Sequence, residues 1–584
     1  MRKTLLFCAA VLAAGLGVVA LAFQQSALGR ADFTFTNGTE PKTIDPHGMT
    51  GQPDGRIGLA LFEGLTYYDP ATLNPVPGVA ERWDIGDDGR LWTFHLRRNA
   101  KWSNGDPVTA RDFHWSWKRM LEPKTAAEYS YMLWDVVNAE RYNKGKLTDF
   151  SQVGLEVLDD WTFRVRLKTY VPYFLFLTSF YSLLPVHRAT VEKSDAEDPG
   201  RWTLPSNIVT NGPFLLEAWV VNDRIRLRKN PGYWNAASIR LDTIDALSSD
   251  DLTACINAYL RGEADWNPSY WPATLNPEIL KRPDFTRTEA SIVYYYRINN
   301  TRPQFKDRRV RQALSLAIDR KEIVENVLGL GEKEAFTYVP PGIPGYEPPR
   351  GLGYDPERAR RLLAEAGYPG GKGFPPIQLL YNTHEAHKQV ATVVAAQIED
   401  ALGIKAEPFN VEWQAYQKDT RELKYDLARA GWIADYLDPN TYLDMWITDG
   451  GNNQTGYTSE LYDRLYRIAK DTPVFVGEPT EDLYALLVEG DRMRELVAAA
   501  REFPAGSAER TAAAQSVRML VFKEMERLLC EIDVPILPIY IYVTKTLVKP
   551  HIGGCHTYLD GPDGKKIPNI LDMHPLRGFY RKDR

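Results

Sequence analysis

A multi-domain α/β protein is the fold class this sequence predicts, and three observations carry the prediction. Short alternating segments, turn residues and segments of helical period follow one another along the chain. The length of 584 residues is several times the roughly 100–200 that one domain uses. After the first thirty residues no apolar run is long enough to cross a bilayer, which takes about 20 residues.

Trp92 to Leu121 shows the type of unit. Trp92, Phe94 and Leu96 alternate as one face of a strand, and Asn104-Gly105 makes a tight turn. Thr109 then caps a helix with Asp112 at the capping-box position. Arg309 to Gly329 and Tyr354 to Pro369 carry apolar residues at helical spacing, and a glycine stops each. Pro473 to Ser516, rich in Ala, Glu and Arg, reads as an added surface helical element.

The N-terminus places Arg2 and Lys3 before an apolar run from Leu5 to Phe23, with Ala20 and Ala22 in an A-x-A pattern. Residues 1–30 therefore read as an export signal, or as an uncleaved anchor since the run approaches bilayer length. Cys8 lies too early for a lipoprotein signal. Beyond it stand Cys255, Cys530 and Cys555, an odd number for an oxidising compartment, with a Cys530–Cys555 bridge one option that spacing alone does not prove.

Charge and motifs narrow the function. A net charge of -6 without a basic run argues against nucleic acid, which needs a concentrated positive surface. Aromatics reach 12%, with 15 Trp and 31 Tyr, which suits a large core or an amphipathic recognition surface. No nucleophile elbow, P-loop or dinucleotide fingerprint is present, and in Gly367–Pro376 prolines follow the glycines. His384 and His387 are three apart where a zinc helix needs four. His551 to His556 reads as a surface loop. The carboxylates of Asp84 to Gly89 lack the distal glutamate of a calcium loop and read as a hairpin turn. Catalysis, metal and cofactor have no constellation to carry them, so binding leads.

One apolar segment, Ala428–Pro439 (ARAGWIADYLDP), carries Arg429 and Asp435 six positions apart. On residue type alone Asp435 is a helix cap, a partner for Arg429, or an anchor for a ligand.

Residues 41–70, 75–119, 208–235, Tyr294–Asn300 (YYYRINN), Asp307–Arg320, Leu362–Pro369 and Leu547–Gly554 together resemble the oligopeptide-binding proteins of bacterial ABC importers. The resemblance runs in order from about residue 32 to 584 and departs in length only near 473–516. It implies a two-lobed periplasmic-binding-protein fold with three domains and a hinge: a discontinuous lobe I of 31–63, 187–291 and 544–584, a small extra domain of 64–186, and lobe II of 292–543. It further implies an exported monomer, non-enzymatic, that closes over short peptides and docks on a membrane permease with its ATPase.

The resemblance also implies site residues. Asp435 would pair with a peptide's ammonium, and Arg429, Arg421 and His387 would meet its carboxylate at graded distances. Trp413 and Trp432 would wall side-chain pockets, while Tyr542 and Tyr129 or Tyr131 would supply hydroxyls. A lysine expected near Leu328 and Leu330 is absent, with Lys333 nearby. Relatives on this fold take murein peptides, dipeptides, or nickel or haem complexes, and a peptide sensor without transport is a further option. An aspartate at 435 favours a ligand with a free amine.

Overall fold

The computed structural model describes residues 28–583 except 87–88, 198–199, 269–270, 273–274, 449, 451, 471–480, 505–506, 561–565 and 570. The predicted signal segment and Asp87-Asp88 thus lie outside the described residues.

Strand β1 (Phe33–Gly38) opens the chain. Two short strands, β2 (Thr66–Tyr68) and β3 (Pro75–Pro77), pair with each other. Next come β4 (Ala80–Gly86), β5 (Leu91–Leu96), β6 (Leu155–Asp159) and β7 (Thr162–Arg166), an antiparallel sheet in the order 4-5-7-6. In β5 Trp92, Phe94 and Leu96 are buried, as their period of two requires. The helix Ala110–Leu121 starts where expected: Asp112 accepts from the Thr109 N–H at 2.7 Å and from its hydroxyl at 2.9 Å. Gly105, at φ 96, turns the chain just before it.

The chain then returns through β8 (Phe214–Val220), β9 (Arg224–Lys229), β10 (Thr243–Ser248) and β11 (Trp266–Asn267), which join β1. A long strand, β12 (Phe285–Ile298), leads away from them. Beyond β13 (Lys333–Glu334) lie β14 (Ile377–Asn382), β15 (Ala406–Val411) and β16 (Leu427–Ile433), and a second long strand, β17 (Ile536–Val548), returns. Together they form one sheet of order 15-14-16-12-17-11-1-10-9-8, with β13 on β17. β12 pairs antiparallel with β17 over nearly its whole length, but the register shifts between Glu289 and Val293. On one side of that shift Phe285–Glu289 meet Val543–Leu547, next to β11; on the other Val293–Arg297 meet Ile536–Ile541, next to β16.

Three large cores follow this layout. One unites β1, β10 and the four-stranded sheet, around Phe33, Phe94, Trp117 and Trp266. The other two cover opposite faces of β12 and β16: Val293, Tyr295 and Ala430 face one, Tyr294 and Tyr296 the other. A run such as IVYYY, Ile292–Tyr296, without the polar alternation of a half-exposed strand, is what a strand buried on both faces needs.

Three expectations are corrected. Cys530 and Cys555 are both free: Cys530 is sealed in one core, whereas Cys555 packs against another, so their sulfurs never meet. The helical stretch within 473–516 is more than surface decoration, because Tyr484, Met493 and Val497 bury into the core beside the helix Ala508–Arg527. His551–His556 is not a surface loop either. Its Ile552 and Gly553 are buried in β18 (Ile552–Gly553), paired with a terminal strand at Tyr580–Arg581.

The helix Ala508–Arg527 also holds a buried ion pair. Arg518, 1% exposed, donates to Asp438 at 2.6 and 2.8 Å and to the Ala469 carbonyl at 3.1 Å. Removing one partner strands a buried charge, so Asp438→Ala should lower unfolding free energy in urea by about 3–5 kcal/mol. Breaking the exposed Lys42–Glu128 pair with Glu128→Ala should cost less than about 1 kcal/mol.

Candidate ligand-binding site

Asp435 follows directly on β16, and the register shift in β12 helps to hold it. Where β12 leaves β17, Ser291 turns its carbonyl to the Ala434 N–H at 3.0 Å, and its hydroxyl meets that of Tyr442 at 2.7 Å. Thr441 accepts from the Asp435 N–H at 3.2 Å. Asp438 accepts from the Asn440 N–H at 2.9 Å and is itself held by Arg518. The loop is therefore fixed at both ends by buried groups.

The Asp435 carboxylate looks into a cleft of about 220 Å³. Gln52, Arg56 and Leu59 line it from the helix Gln52–Leu61, Tyr129 and Tyr181 from the stretch between β5 and β8, Ile433 and Asp435 from β16 and the loop after it, and Asp572 and His574 from the residues after β18. One hydrogen bond reaches the carboxylate among those described, from the Tyr131 hydroxyl at 3.3 Å. No cation pairs with it among the described residues. Burial pushes its pKa up to about 7 against the pull of that hydroxyl. Asp435 is therefore neither a helix cap nor a partner of Arg429.

The next residue closes the wall. Tyr436 stacks on Tyr173 with ring centroids 4.2 Å apart, and Asn440 donates to the Tyr173 hydroxyl at 3.1 Å. Lys470 reaches Asp135 at 3.0 Å. Asp444, buried nearby, is pushed up to about 7 by burial, with Lys470 opposing.

Arg429 sits within β16, where Arg429, Gly431 and Ile433 alternate onto one face. Its guanidinium lies over the Tyr294 ring at 5.3 Å and donates to Asn382 Oδ1 at 3.2 Å. Its Nε is buried without a hydrogen-bond partner, and no carboxylate pairs with it among the described residues. His387, on the helix Glu385–Leu402, packs against Tyr294 with Nδ1 likewise unpartnered. Burial, Arg429 and His384 together push His387 down to about 3, so the ring is neutral at physiological pH. Tyr542 joins the same cluster through Tyr294 and Tyr540.

The structure thus gathers the expected residues into two groups rather than one row. Asp435, Tyr129 and Tyr131 meet at the cleft, and Arg429, His387 and Tyr542 meet farther along β16. Trp432 faces the opposite side of the sheet from Arg429, half-buried, with its Nε1 unpartnered. Trp413 heads the helix Trp413–Arg421, and its side chain lies outside what is described. Arg421 ends that helix exposed, donating to Gln417 O at 3.1 Å beside a separate surface pocket. Lys333 pairs with Glu289 at 3.7 Å. Sequence reasoning missed Asn382, Tyr294, Tyr181 and His574. Tyr294 alone had a signal, as the first residue of YYYRINN; the others meet the site only through folding.

A further property is geometric. β16 pairs with β12 along Leu427–Ile433, but with β14 only at Leu427 and Ala428. Strand pairing therefore leaves the outer edge of Arg429–Ile433 unused, apart from the Tyr416 hydroxyl on the Arg429 carbonyl.

Comparison with known proteins fits this geometry. Residues 74–454 match the family described as bacterial extracellular solute-binding proteins, family 5, middle part. The periplasmic oligopeptide-binding protein OppA of Salmonella typhimurium is 36% identical over 544 residues, covering 91% of each chain. An oligopeptide-binding protein, OppAIV, of Borrelia burgdorferi superposes with a TM-score of 0.73 at 29% identity, covering 94% of this chain and 100% of its own. Haemophilus influenzae OppA in complex with RPPGFSPFR gives 0.70 at 31%, covering 95% and 99%.

The lone carboxylate has a consequence for stability. Its folded pKa of about 7 lies above the unfolded value near 3.9, so the ligand-free fold binds a proton more tightly than the unfolded chain. Its contribution therefore favours folding at low pH and is lost as pH rises from about 4 through about 7. Asp435→Asn should match the parent's melting temperature near pH 4 and exceed it by about 2 °C at pH 8 in ligand-free protein. A pH series of calorimetric scans checks this.

Proposed function

The chain belongs to the bacterial extracellular solute-binding proteins of family 5, and from that premise we propose that it is the periplasmic receptor of an ABC importer, capturing short peptides and passing them to a membrane permease and its ATPase. It works by binding rather than catalysis, as a monomer.

One observation carries the reading. Two opposite charges on one short segment, Asp435 and Arg429, each lack an ionic partner among the described residues. Both side chains are partly buried, and a charge withdrawn from water without a partner costs free energy that a zwitterionic ligand would offset at both ends. Six residues of strand put their α-carbons at most about 20 Å apart, a distance for a peptide of a few residues once side chains reach inward. The unpaired edge of β16 suits a ligand main chain added as a strand, an affinity that does not depend on its side chains. The relatives named for oligopeptides agree.

Direction follows from charge: the ammonium sits at Asp435 against Tyr131, and the carboxylate lies toward Arg429. His387, kept neutral, orients the carboxylate as a hydrogen-bond donor, and Arg421 serves longer ligands. Trp413, Trp432, Tyr542 and Tyr129 shape the side-chain pockets. The hinge is the register shift of β12 on β17 between Glu289 and Val293, where the fewest ladder bonds resist bending. A ligand touching both lobes shifts the population toward the closed form.

Asp435→Ala should weaken peptide binding at least about a hundredfold, measured by calorimetry on folded protein, because a buried ammonium would lose its counter-charge. N-acetylated peptides should suffer the same loss against the parent; equal affinity for acetylated and free peptides sinks the ammonium anchor. Mass spectrometry of solutes that co-purify should identify short peptides. Binding should also release protons. An arriving ammonium favours the ionised carboxylate, so at pH 7 about half a proton should leave per peptide bound, read as a dependence of binding heat on buffer ionisation enthalpy.

A further inference from the structure

His574 belongs to the cleft wall, yet its ring faces away from peptide chemistry. Its Nδ1 lies 3.8 Å from Cys555 Sγ, and its Nε2 lies 3.2 Å from Asp572 Oδ1. A doubly protonated ring satisfies both contacts as a donor, to the Cys555 sulfur on one side and the Asp572 carboxylate on the other. The arrangement is braced: Asn569 Nδ2 donates to the His556 and Met573 carbonyls at 2.8 Å each, stapling the loops that carry Cys555 and His574. Asp572 holds a left-handed backbone at φ 50, which Asp tolerates. Trp266 packs against the ring at 75°, centroids 5.4 Å apart.

The three described cysteines are not alike. Cys255 and Cys530 are buried at 2% exposure, whereas Cys555 is partly exposed. It is thus the most exposed thiol of the three, in a protein whose relatives are periplasmic and so work in a disulfide-forming compartment.

We propose that Cys555, His574 and Asp572 form a Cys–His–Asp relay that makes Cys555 a site of exchange with low-molecular-weight disulfides beside the ligand cleft. The thiolate attacks one sulfur of the disulfide. A Cys555–sulfur bond forms as the original S–S bond breaks, and the electron pair departs on the second sulfur as a free thiolate. Cys555 is oxidised to a mixed disulfide and the reagent is reduced to one thiol, with His574 able to hand its proton to the departing sulfur. Burial works against charge on His574, and the Cys555 thiolate with Asp572 outweighs it, pushing the imidazole up to about 10. Around the relay, His556 on the Cys555 loop is pushed below the ordinary histidine value by burial and Lys566, and the Arg56 guanidinium lies over Trp266 at 5.5 Å. The exchange is independent of which solute fills the cleft.

The test uses the full chain. Alkylation of Cys555 by iodoacetamide is followed from pH 5 to 9 by peptide-resolved mass spectrometry, with buried Cys255 and Cys530 as references in the same molecule. The wild type should react at pH 6.5 about tenfold faster than His574→Gln and Asp572→Asn, as an imidazolium-lowered thiol does. Incubation with glutathione disulfide should add one glutathione to Cys555. Asp572→Asn keeps the residue's shape at a partly exposed position, so it carries the comparison if His574→Gln fails to fold. Wild-type rates that climb through the ordinary thiol range and coincide with Asp572→Asn, or no adduct on Cys555, overturn the proposal.

Discussion

The antiparallel pairing of β12 with β17 is the interaction on which everything else depends. These two strands are the ones long enough to reach both halves of the sheet, 14 and 13 residues against six or seven in most of their neighbours. Each half hangs its own α/β layers on a different stretch of the pair. Where the register shifts, the ladder loosens, and the freed Ser291 carbonyl turns to the loop after β16. The irregularity between Glu289 and Val293 thus helps to set the position of Asp435, and it is where the proposed hinge lies.

The electrostatics divide into paired and unpaired burial. Arg518 and Asp438 meet in two hydrogen bonds and anchor the loop. Asp435, three residues earlier, has a tyrosine hydroxyl alone among the described residues, and burial raises its proton affinity. A fold optimised for stability would pair or remove such a charge. Under the proposed function, keeping it stabilises the bound state instead, with the ligand's ammonium as the missing partner. Arg429 follows the same logic at the other end, cushioned by tyrosine rings and an amide rather than by a carboxylate.

Much of the fold was legible because its signals are local. The Thr109–Asp112 cap, the turn at Gly105 and the alternation in β5 depend on a few neighbouring residues, and they stand where expected. The candidate site was legible in a different way. Resemblance marked Asp435 and Arg429, whereas residue type alone could not choose between a cap, a pair and an anchor. What stayed hidden is nonlocal. No pattern in the chain says that Tyr131 reaches Asp435 across 304 positions. Nor does spacing reveal that Cys530 and Cys555 fall into separate cores, or that the helices near Met493 bury rather than decorate.

By itself, then, the sequence determined the α/β units, their caps and turns, and the presence of opposite charges in one apolar segment, because these follow from dihedral preference and periodicity within a few residues. The tertiary structure alone decided that those charges have no ionic partner among the described residues, that Arg421 lies apart from them, and that Cys555 meets His574. A partner is a matter of distance in space, and a chain folded into one sheet from segments hundreds of residues apart sets those distances only when it closes.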